Sequence, residues 1–175
     1  MIVIGCDPGL GVRSPTGIAV IDTKDATILD VKEMWCSSKR LVTYKKLGEL
    51  SYGMTDIIGP YYSMSKDVGM LFVNEYFVMK GKGGESLQRL IGAYHAAVPQ
   101  DVEVIEIQNV KVKQYLGVEG RGDSSKEDVG EGVHRWFLNK NAESTKIVRN
   151  LINEGRWDAL DALAIGISGW LEYTK

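Results

Sequence analysis

The chain is poor in cysteine and in net charge and has no long apolar run, and each shortage removes a class of function. Cys6 and Cys36 are its only cysteines, which leaves neither a disulfide framework nor a cysteine-rich zinc site. A reduced, intracellular, cytoplasmic protein is the expectation that follows. No stretch approaches the roughly 18–20 apolar residues of a membrane span. The apolar start is too short for a signal peptide and lacks a basic leader. A formal net charge of −2 argues against a surface that is basic all over, though not against a local basic cleft beside a group of acids. With no internal repeat, low-complexity tract or linker, residues 1–175 are expected to form one domain with a sizeable core.

What is present is an ordinary globular mixture, 44% hydrophobic and 25% charged. Its organising stretch is the first nine residues. A near-continuous apolar run reads as a strand buried on both faces, and it stops at Asp7, where Pro8 and Gly9 end the ladder. Thr16–Asp22 and Thr27–Trp35 read as two further strands, joined by a polar turn, which suggests an antiparallel meander. Apolar residues at spacings of three and four predict a helix over Lys39–Ile58, ended by Gly59 and Pro60. Gly69–Glu75 repeats the design of the first strand, an apolar run delivering a carboxylate at its end. A basic glycine loop, Lys80–Gly84, leads into an amphipathic helix over Glu85–Val98. Val102–Ile107 is a short strand, and Val110–Leu116 is helical. Gly117–Asp123 is a glycine-rich loop, after which Ser124 or Ser125 can cap a helix to about Leu138. Helices over Ala142–Ile152 and Trp157–Tyr173 complete the chain. The order predicts an α/β fold with a mixed sheet.

The candidate chemistry is acidic. Asp7 alone reads as a cap of its own turn rather than as a ligand. Asp158 and Asp161 lie three apart on one side of the last helix, where Asp158 can also serve as a cap or a dipole partner. Taken with Glu75, these acids form a set of oxygen donors of the kind that holds a hard cation such as Mg²⁺ or Mn²⁺. A pair of such ions can activate water and stabilise the leaving oxygen of a phosphodiester.

Four blocks carry a resemblance: Ile4 to Gly9 (Ile-Gly-Cys-Asp-Pro-Gly), Phe72 to Glu75 (Phe-Val-Asn-Glu), Val112 to Gln114 (Val-Lys-Gln), and Asp158 to Ile165 (Asp-Ala-Leu-Asp-Ala-Leu-Ala-Ile). In this order, and spanning nearly the whole chain, they resemble the signature blocks of RuvC-type Holliday junction resolvases. The resemblance implies an RNase H-like fold, with a five-stranded mixed sheet of three antiparallel strands and then two parallel ones, flanked by helices. It implies a cytoplasmic homodimer of bacterial or phage origin that uses two Mg²⁺ per active site, with Mn²⁺ able to substitute. Its substrate would be four-way junction DNA, nicked on two opposed strands. Asp7, Glu75, Asp158 and Asp161 match the family's four catalytic, metal-holding acids, and Lys113 and Lys126 match two basic residues of its active-site region. Lys80, Lys82, Lys111, Lys113, Arg121 and Lys126 are candidate DNA contacts, although all can equally be solvated surface residues. The family usually has a wedge aromatic three residues after the strand-end Glu. Val78 stands there in this chain, with Tyr76 and Phe77 before it, so Phe77 is the candidate contact and core packing the alternative. Arg13 can reach a phosphate but belongs to no motif. The helix over Glu85–Val98 lies where the family places its dimer contact, and Leu87, Ile91, Tyr94 and Val98 suit either that contact or the core. Three rivals remain: an RNase H-like nuclease for RNA–DNA hybrids or other branched nucleic acids, an actin-like kinase domain, for which the chain is short, and a non-catalytic DNA binder.

Overall fold

The computed structural model describes residues 1–10, 14–37, 43–76, 82–118 and 125–175, and only the backbone of residues 43, 82 and 83. Five strands form one sheet: β1 (Ile2–Asp7), β2 (Thr16–Asp22), β3 (Thr27–Met34), β4 (Met70–Glu75) and β5 (Glu103–Ile107). Six helices accompany them: α1 (Thr43–Met64), α2 (Lys82–Ala97), α3 (Asn109–Tyr115), α4 (Lys126–Leu138), α5 (Ala142–Glu154) and α6 (Trp157–Tyr173). The strand order is β3-β2-β1-β4-β5. Short connections make β1, β2 and β3 antiparallel. The crossovers through α1 and α2 make β4 parallel to β1, and β5 parallel to β4.

Successive strand residues face opposite sides of the sheet, and each side has its own core. Ile2, Ile4 and Cys6 join Ile18, Val20, Met70 and Phe72 against Leu50, Met54 and Ile58 of α1 and Leu90 and Tyr94 of α2. Val3, Leu71, Val73 and Ile107 face the other way, onto α4, α5 and α6. Apart from half-buried Asp161, helix α6 is buried from Ala159 through Gly169, as suits a helix sandwiched between the sheet and other helices. Two glycines set how deeply it lies. A Cβ on Gly5 would fall 2.1 Å from the Ala162 carbonyl oxygen and 2.7 Å from the Gly166 nitrogen. One on Gly17 would fall 1.9 Å from the Asp158 carbonyl oxygen.

Helix α1 departs from the sequence expectation. It runs on to Met64 with Pro60 inside it. Proline removes one backbone bond at a cost of about 3 kcal/mol in a helix interior. Tyr61 and Tyr62 extend the stripe of Ile57 and Ile58 onto the core, and burying aromatic bodies offsets such a cost. Helix α2 begins at Lys82, ahead of the expected Glu85. Its stripe belongs to the monomer core: Leu90 is fully buried, Tyr94 is 1% exposed, and Ile91 and Val98 are buried. Those side chains are therefore not free to form a contact between copies, whereas Leu87 is only half-buried against the core.

Candidate active site

The acids meet because of strand parity. Val3, Gly5 and Asp7 alternate onto the α6 side of β1, and Leu71, Val73 and Glu75 do the same on β4. Cys6 pairs with Asn74, so Asp7 and Glu75 occupy the next position on neighbouring parallel strands. Both sit at C-terminal strand ends, where parallel sheets present their ligand sites. Helix α6 supplies Asp158 and Asp161 from its first turns, one above the other on the face turned to that end.

Electrostatics couples the acids to one another. The Asp7 carboxyl is pushed up to about 8, first by burial, then by Asp161, Glu75 and Asp158, with Lys126 pulling it down. Burial also raises Glu75, while a hydrogen bond from the Asn109 side chain and the charge of Lys113 oppose the rise. Asp161 is raised by burial and by Asp158, against Lys126 and Lys113. The Lys126 ammonium lies 3.8 Å from Asp158 Oδ1 and 3.7 Å from Asp161 Oδ2. It is the first residue of α4, whose N-terminus is fixed by a capping box between Ser125 and Asp128. Glu75, Asn109, Lys113 and Asp161 line a small cleft of about 50 Å³, floored by Val112, Val129, Ala164 and Ile165.

Several contributors left no trace in the sequence pattern. Ser14 Oγ donates to Asp158 Oδ1 at 3.1 Å. Thr16 Oγ1 donates to the Gly9 carbonyl at 2.7 Å and accepts from Gly9 N at 3.2 Å, so the Tyr94 hydroxyl, 2.7 Å away, is the donor to Thr16. This buried knot ties the exit of β1 to the start of β2 and to α2. Asn74, 1% exposed, donates to the Glu75 carbonyl and accepts from His95 Nε2 at 2.8 Å, fixing the strand end that carries Glu75. The contacts of Ser14 with Asp158, Tyr94 with Thr16 and His95 with Asn74 do not follow from spacing, because those partners lie far apart in sequence.

Other candidates stand elsewhere. Lys111 pairs with Glu172 Oε1 at 2.8 Å, and the Tyr115 hydroxyl and Lys175 share that carboxylate. Glu172 lies about 16 Å beyond Asp161 along α6 at 1.5 Å per residue, so Lys111 is held away from the acids. Tyr76 is 44% exposed and is not a core residue. Phe77, Val78, Lys80, Arg121 and Arg13 lie outside the described residues, as does the side chain of Lys82.

No family model matches the chain, and no curated protein matches it. Solved structures do. Thermus thermophilus RuvC superposes with a TM-score of 0.67 at 19% identity, covering 96% of this chain and 92% of that one. T. thermophilus RuvC in complex with a Holliday junction substrate gives 0.65 at 19% identity, over 96% and 91%. The fold is that of RuvC. The yeast mitochondrial Holliday junction resolvase Ydc2 shares it, with a TM-score of 0.62 at 12% identity over 97% of this chain and 77% of its own. The RuvC fold is the RNase H-like architecture expected from the sequence, with β1, β2 and β3 antiparallel and β4 and β5 added in parallel.

That fold and the four acids imply a divalent metal. Among the described residues no three acidic, imidazole or thiol side chains are drawn together tightly enough to cage an ion. The donor set nevertheless fits one. It is all carboxylate, which suits a hard cation, and Asp7 needs either a proton or more positive charge than Lys126 supplies.

Proposed function

We propose that the protein is a metal-dependent DNA endonuclease that resolves four-way Holliday junctions in recombination and repair, working as a homodimer that nicks two opposed strands symmetrically. The observation that carries this reading is Asp7, whose carboxyl is held up to about 8 by burial and by three other acids at the C-terminal end of two parallel strands. The same fold has been solved on a Holliday junction in T. thermophilus RuvC.

In this reading Asp7, Glu75, Asp158 and Asp161 hold two Mg²⁺ ions, which Mn²⁺ can replace. When bound, the ions supply positive charge to the attacking water and to the departing 3′ oxygen. Ser14 holds Asp158 in place, and Asn109 does the same for Glu75. Lys113 and Lys126 face the acids from α3 and α4 and are placed to hold the scissile phosphate and its transition-state charge. Phosphate contacts of this kind position DNA without reading its sequence. Lys80, Lys82, Arg121 and Phe77 remain proposed DNA contacts on sequence grounds alone. A two-fold pair of copies on a two-fold junction would place one site on each of two opposed strands. The products would carry 5′-phosphate and 3′-hydroxyl ends.

The test is a synthetic four-way junction labelled on each strand, incubated with Mg²⁺ or with a chelator. Symmetric paired nicks with Mg²⁺ alone are expected, with linear duplex and RNA–DNA hybrid left largely intact. Asp7→Asn and Asp161→Asn should bind the junction and leave it uncut. Equal cleavage of duplex or hybrid would overturn the junction assignment.

A further inference from the structure

Lys126 sits where a lysine is not needed by its own helix. As the first residue of α4 it stands at the positive end of the helix dipole, where a cation is disfavoured. The capping box of Ser125 and Asp128 already satisfies that end. What the ammonium gains lies across the cleft, on α6. It stands nearly equidistant from Asp158 and Asp161, at 3.8 and 3.7 Å. A locked ammonium–carboxylate hydrogen bond is shorter, about 2.7–2.9 Å. Lys126 therefore bridges two carboxylates without committing to either. Its side chain is 54% exposed, against 20% and 27% for the two aspartates. A half-exposed lysine on a flexible stem is weakly held and can swing into solvent.

We infer that Lys126 stands in for the divalent cation. In the metal-free protein its ammonium bridges Asp158 and Asp161 and relieves their repulsion, and it must leave that position for the acids to close on an ion. Lys126 thus competes with the metal for the same pair of carboxylates. The inference rests on the metal-dependent reading of the site and adds a property that this reading lacks: a built-in competitor that sets the metal affinity.

The experiment is calorimetric titration with Mn²⁺, without DNA and without turnover, on the wild type, Lys126→Met, Lys126→Arg and the double variant Asp158→Asn/Asp161→Asn. Lys126→Met should bind Mn²⁺ about tenfold more tightly or better, because a repelling unit charge near 4 Å is gone. Lys126→Arg keeps the charge and should stay near the wild type. Thermal melts supply a second readout. Metal-free Lys126→Met should melt below the wild type, and saturating Mn²⁺ should close that gap. Equal or weaker Mn²⁺ binding by Lys126→Met, with the wild type binding and the double variant not, would overturn the inference and leave the metal site standing. If neither the wild type nor Lys126→Met bound Mn²⁺, the metal site would fall, and the inference with it.

Discussion

Asp7 makes the metal-free protein pay for its active site. Its carboxyl titrates near 8 in the folded chain, against an ordinary value of 3.8. Between those limits the native state holds a proton that the unfolded chain has released, so stability falls as pH rises from about 4 to 8. Glu75 and Asp161 are raised too and act in the same direction. Melts in chelator across that range should show the decline. Asp7→Asn should make it shallower and stabilise the chelated protein at pH 8 by roughly 1–3 kcal/mol, while abolishing cleavage. A flat wild-type profile would show that Asp7 is not buried among like charges. The four acids were legible in sequence because each has a local signature: two end apolar strands, and two stand three apart on a helix. Ser14 and Asn109 were not, because they act through tertiary contacts. Ser14 lies 144 residues from the carboxylate it holds.

Among the elements, β2 and α6 match their sequence expectations residue for residue, since both carry unbroken periodic patterns with clear stops. The end of α1 was misread because Gly59 and Pro60 are strong local breakers, whereas the contacts that carry the helix past them come from the core. Pro60 is exposed, so Pro60→Ala should restore a backbone bond with little disturbance and raise stability by about 1–2 kcal/mol in denaturant unfolding. Gly5→Ala should do the opposite. Its new methyl group would meet the backbone of α6, which cannot turn aside as a side chain can. A loss of about 3 kcal/mol is expected. Junction cleavage should fall further than stability alone explains, because Asp158 and Asp161 would move with the helix.

At the scale of the whole molecule, the sheet separates two tasks. The face toward α1 and α2 holds a core with Leu90 and Tyr94 at its centre, and the face toward α6 ends in the acids. Whether the α2 stripe served the core or a second copy was not legible in the sequence, since an amphipathic stripe looks the same in either role. The burial of Leu90 and Tyr94, and the hydroxyl bond of Tyr94 to Thr16, assign those two residues to the core, with Leu87 half-buried beside them. Leu90→Ala should therefore cost about 2–5 kcal/mol and leave the association state of the folded protein unchanged by sedimentation. Dissociation into stable monomers would contradict that placement.

Strand parity also imposes a counting rule on the chain. One residue inserted between Ile2 and Asp7 would turn the carboxylate toward α1 and α2, and one inserted in β4 would do the same to Glu75. The same insertion at the tip of the β2–β3 turn, at the opposite end of β2 from Gly17, would leave both carboxylates facing α6. Such an insertion would instead disturb buried Ala26 and the Asp25 carbonyl that Asn141 holds, a cost in stability, whereas β1 and β4 must keep the number of residues that lead up to their acids.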